Sequence, residues 1–149
     1  MAQPQVASRP DSTNGFSLLI DGQLVSSAER LDVINPATGK VFAQAPAASR
    51  ADLDRAVTAA RRAVPEWSAR SFEDRTQFIK RMAGILRANQ DVLAELLTRE
   101  QGKPVGQSRD EIGRAASLSE GMTGISIASE LIVDDAERRV EVRYVPLGV

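Results

Sequence analysis

The sequence predicts an α/β chain, with strands over residues 17–45, helices over 50–126 and one more strand after residue 138. Three observations carry this reading. Turn-forming residues cluster tightly through the first 46 positions. From Ser49 onward, apolar residues recur every three or four positions, the spacing of a helix with one apolar face. Near the end, Val140, Val142 and Tyr144 alternate with Glu141 and Arg143, the period of a half-exposed strand.

Taken in order, residues 1–15 are rich in Pro, Gln, Ser and Ala without periodicity and read as a disordered tail. Leu18-Leu19-Ile20 and Gln23-Leu24-Val25 flank Asp21-Gly22. Asp-Gly between apolar runs predicts a two-residue hairpin turn, which needs positive φ at both central residues. A third strand over Leu31–Ile34 stops at Asn35-Pro36-Ala37-Thr38-Gly39, and a fourth covers Lys40–Ala45. Ser49 with Asp52 three residues on predicts a capped helix start, and Ser71 with Asp74 repeats it. Pro65 is expected to bend or end the first helix near its last turn, and Trp67, on the apolar stripe, is expected in the core. One long stripe from Phe78 through Leu86 to Leu97 predicts a single second helix, ended by Gly102 and Pro104. A third helix starts near Val105 and carries Ile112, Ala116, Leu118 and Met122, with Met122 expected in the core. That makes three main helices. Arg138, Arg139 and Arg143, set among Glu137 and Glu141, read as a charged edge strand.

Composition removes several functions. The 149 residues contain no cysteine and no histidine, so thiol catalysis, disulfides, Cys/His zinc sites and Ser-His-Asp triads are excluded within this chain. A formal net charge of -1 argues against nucleic acid as a partner. No apolar run approaches the roughly 20 residues needed to cross a bilayer, and the first residues lack a signal-peptide pattern. A cytoplasmic location, with no membrane partner, is the expectation. Gly15, Gly22 and Gly39 are isolated turn glycines rather than a phosphate-binding loop, and Lys103 after Gly102 lacks P-loop spacing, so it reads as a surface lysine. Arg61, Arg62 and Arg70 near Glu66 read as a solvated face.

Five stretches together resemble one family. Leu19-Ile20-Asp21-Gly22 resembles an opening hairpin. Val33-Ile34-Asn35-Pro36-Ala37-Thr38-Gly39 resembles an N-P-x-T-G turn. Ala51–Trp67 followed by Arg75 resembles a helix pair ending in W and R-x-x-x-L. Glu100-Gln101-Gly102-Lys103-Pro104 resembles an E-x-G-K-P helix end, and Pro146-Leu147-Gly148-Val149 a P-x-G-V segment. In this order they resemble the N-terminal part of the NAD(P)-dependent aldehyde dehydrogenase superfamily, across residues 16 to 149.

The resemblance implies that residues 16–137 belong to the N-terminal part of the cofactor-binding domain and 138–149 to a strand of the oligomerisation arm. The Rossmann-like sheet and the catalytic domain would lie downstream. It implies an enzyme that oxidises an aldehyde to a carboxylate. A cysteine attacks the aldehyde, hydride passes to NAD or NADP, and a glutamate serves as base for hydrolysis of the thioester. No catalytic or cofactor-binding residue of that machinery falls in this chain, which by itself is expected to be inactive and to bind no cofactor. The partners implied are a small aldehyde substrate and, through the C-terminal strand, further copies in a homo-oligomer. The resemblance also pairs Glu100 with the backbone carbonyl of Ile34 as a structural monovalent-cation site. The alternative is a small non-catalytic helical interaction module or the product of a decayed gene.

Overall fold

The computed structural model describes residues 15–125 and 127–149. The predicted tail thus falls, except for Gly15, outside the described residues. The hairpin forms as expected from β1 (Leu18–Ile20) and β2 (Gln23–Val25), antiparallel with Ile20 opposite Gln23. Asp21 (φ 54°) and Gly22 (φ 74°) both occupy the left-handed region the turn demands. A second hairpin pairs β3 (Arg30–Asn35) with β4 (Lys40–Pro46), its register shifting between Val33 and Ile34.

The helical part departs from expectation in three places. First, α1 (Arg50–Ala69) runs through Pro65 rather than ending there. The proline removes one hydrogen bond to the carbonyl of Arg61, and that residue is exposed, so water can take the bond over. Second, the long second helix is two helices, α2 (Phe72–Ala88) and α3 (Gln90–Gln101), which makes four in all. Asn89 divides them. Its Nδ2 donates to the carbonyl of Ile85 at 2.9 Å, while its own carbonyl accepts from Leu93 N–H at 3.0 Å. A buried asparagine that competes for backbone partners can stop a helix without disturbing apolar spacing on either side, so periodicity alone does not reveal the break. Third, Trp67 and Met122 are not core residues: they are 40% and 64% exposed.

The capping expectations hold. Ser49 Oγ accepts from Asp52 N–H at 3.2 Å and Asp52 Oδ2 accepts from Ser49 N–H at 2.9 Å, a reciprocal box. Ser71 Oγ likewise accepts from Asp74 N–H at 3.0 Å. α4 (Val105–Met122) packs against both α2 and α3, and the buried positions of this trio are small: Thr76, Ala83, Ala94, Ser108 and Ala116. Small residues let the helix axes approach closely, while larger side chains such as Leu86, Leu93, Leu96 and Ile112 are half-buried around them. Ile85, Leu118 and Leu53 are all more than half exposed.

The chain also holds a strand that the periodicity did not signal. β5 (Glu130–Asp134) pairs with β6 (Arg139–Val142) in a third two-stranded sheet, closed by a turn in which Asp135 Oδ1 accepts from both Glu137 and Arg138 N–H at 2.9 Å. The expected terminal strand is therefore one arm of a hairpin.

Candidate functional site

The predicted site residues Glu100 and Ile34 lie on segments that meet. Ile34 is in β3, two residues before Pro36, and Glu100 is in the last turn of α3, two residues before Gly102. The turn after β3 is held internally. Asn35 Oδ1 accepts from Ala37 N–H at 2.9 Å, and the Asn35 carbonyl accepts from Gly39 N–H at 2.8 Å. Gly39 takes φ 66°, which ends the turn and starts β4. Opposite it, Gly102 closes α3 with φ 76° and its N–H donating to the carbonyl of Thr98 at 2.8 Å. A Cβ on Gly102 would stand 2.8 Å from Pro36 Cγ, so the N-P turn and the G-K-P helix end touch directly. Arg99 adds a second link, its guanidinium 4.5 Å from the centre of the Phe42 ring on β4.

Two further contacts fix the helix end against α4. Lys103 Nζ pairs with the Glu111 carboxylate, so the lysine expected at the surface is an ion-pair donor and only one-quarter exposed. The hydroxyls of Thr98 and Ser108 share a hydrogen bond at 2.9 Å, with Ser108 fully buried. The sequence did hold a signal for this pair. Ser108 lies one helical turn before Ile112, and Thr98 one turn after the buried Ala94, so each is a polar group on an inward stripe and needs a partner.

As a metal site this junction is thin. Glu100 is exposed, and among the described residues no group of three or more acidic, His or Cys side chains gathers to hold an ion. What the junction offers a cation is one carboxylate and the last-turn carbonyls of α3, which lie at the negative end of the helix dipole.

A second concavity lies between the first hairpin and α1, lined by Ile20, Val25, Thr58, Ala59, Arg55 and Arg62. Its charges are spoken for: Arg62 pairs with Asp21 at 2.6 Å and Arg55 with Asp52 at 2.5 Å. Hydrogen bonds from Ser49, with Arg55 beside it, hold the Asp52 carboxyl down from 3.8 to about 2. Of the basic face expected around Arg61, Arg62 and Arg70, Arg61 and Arg62 are exposed, whereas Arg70 is half-buried and pairs with Glu66 at 2.5 Å.

Residues 24–149 match the Aldehyde dehydrogenase family. The chain belongs to that family. It is 35% identical over 138 residues to a probable aldehyde dehydrogenase of Pseudomonas, an alignment covering 93% of this chain and 28% of the relative. Among solved structures it resembles an NADP-dependent enzyme of E. coli (TM-score 0.77, 32% identity, 84% of this chain and 27% of the other). It also resembles a point mutant of Staphylococcus aureus betaine aldehyde dehydrogenase in complex with NAD+ (TM-score 0.75, 28% identity, 81% and 26%).

The chain thus spans little more than a quarter of the length of the aldehyde dehydrogenases it matches. Its helices and strand pairs correspond to the N-terminal part of that fold. Membership removes the alternative of an unrelated helical interaction module, and the Pro36–Gly102 contact joins two of the motifs on which the resemblance rested. Among the described residues no helix is long and apolar enough to cross a membrane.

Proposed function

We propose that this chain is the N-terminal scaffold of an NAD(P)-dependent aldehyde dehydrogenase and that it oxidises no aldehyde by itself. In the whole enzyme an aldehyde and water become a carboxylate, and the hydride lost from the aldehyde carbon reduces NAD+ or NADP+. The observation that carries this reading is the match over residues 24–149 in a chain without a single cysteine. The family's thiol chemistry has no nucleophile here. What these residues supply is shape: α2 and α3 packed on α4, α1 set against the first hairpin, and a junction that fixes the β3–β4 turn against α3 and α4.

The test is cofactor reduction at 340 nm with NAD+ or NADP+ and a panel of small aldehydes. The chain alone should give no rate. A chimera that joins residues 1–149 to the remainder of the Pseudomonas relative should give one. Steady turnover by the chain alone would overturn the proposal, as would a folded chimera with no activity.

The same reading assigns residues 16–137 to the cofactor-binding domain and 138–149 to the oligomerisation arm, with a homo-oligomer in the cytoplasm as the working form. Support for the arm comes from β6, which pairs only with β5 among the described residues and leaves its other edge open. Glu100 and the Ile34 carbonyl are proposed as a structural monovalent-cation site, supported by the contact between Pro36 and Gly102. Melting in sodium or potassium chloride should exceed melting in choline chloride of equal ionic strength. At several times Kd the stabilisation is about 1 kcal/mol. Glu100→Gln should abolish the difference, and equal melting of the original chain in all three salts would remove the site.

A further inference from the structure

We draw no further inference here: the strongest candidate, the surface patch of exposed apolar side chains on α1 and α2 around the Trp67–Phe78 contact, carries nothing because nothing in the structure shows what covers it.

Discussion

Replacing Gly102 with alanine isolates the contact on which the junction depends. Two costs add at this position. The residue sits at φ 76°, where a Cβ costs about 1–2 kcal/mol, partly offset by about 0.4–1 kcal/mol from the stiffer unfolded chain. The new Cβ also meets Pro36 Cγ at 2.8 Å, and relieving such an overlap against a rigid ring costs about 1–3 kcal/mol. Gly39 is the internal control, because it has nearly the same φ of 66° but nothing within 4 Å of its Cβ position. Gly39→Ala should therefore destabilise by about 1 kcal/mol and Gly102→Ala by about 3 kcal/mol, the difference being the overlap alone. Urea unfolding followed by far-ultraviolet circular dichroism measures both. Pro36→Ala removes the Cγ, so in the double mutant the penalty at Gly102 should fall to that of Gly39. Equal penalties at the two glycines, or no rescue by Pro36→Ala, would refute the reasoning and leave the two motifs as neighbours without mutual constraint.

Two other perturbations follow from the helix ends. Ser49→Ala removes the side-chain acceptor at the start of α1 and should cost about 1 kcal/mol at neutral pH. The Asp52 carboxyl is lowered from 3.8 to about 2 in the folded chain, so its contribution to stability is present above pH 3.8 and is lost as pH falls through about 2. Urea midpoints between pH 5 and pH 2 should decline less steeply in Ser49→Ala than in the parent, and parallel declines would show that the cap is not the cause. Thr98→Val strands the buried Ser108 hydroxyl and should cost about 1–3 kcal/mol, whereas adding Ser108→Ala should recover most of that loss. A double mutant no better than Thr98→Val would show that the hydroxyl pair is not the source of the effect.

The features that the sequence displayed were those governed by local chemistry. The Asp21-Gly22 hairpin, the Ser49 and Ser71 helix starts and the Gly102 helix end each depend on residues within a few positions of one another, and all form where their side chains demand. The family was legible for the same reason, since its motifs are turns and caps. Features decided by distant partners were harder to read. Trp67 lies on the apolar stripe of α1, yet it only leans edge-on against Phe78, at 5.4 Å between ring centres. Arg70 and Arg81 approach the same Phe78 ring. Periodicity names the face a side chain occupies but not whether anything lies against that face. β5 went unseen because Glu130-Leu131-Ile132-Val133-Asp134 has no alternation, and its strand state depends on pairing with β6. Asn89 went unseen because helices on both sides of it keep the same apolar spacing. At the candidate site, Glu100 and Ile34 could be named from their motifs, while the contacts that bring their segments together cross more than fifty positions of sequence.

The way α1 is attached has a consequence for motion. This helix leans chiefly on β1 of the first hairpin, while α2 and α3 both pack on α4. The chain is thus built as two blocks of unequal cohesion, and thermal opening should respect the seam between them. Amide protons of α1 should trade with deuterium through detachment of that helix, at a rate set by the Trp67–Phe78 edge and the Arg62–Asp21 pair. Those around Ala83, Ala94 and Ala116 should exchange only when the helical trio itself comes apart.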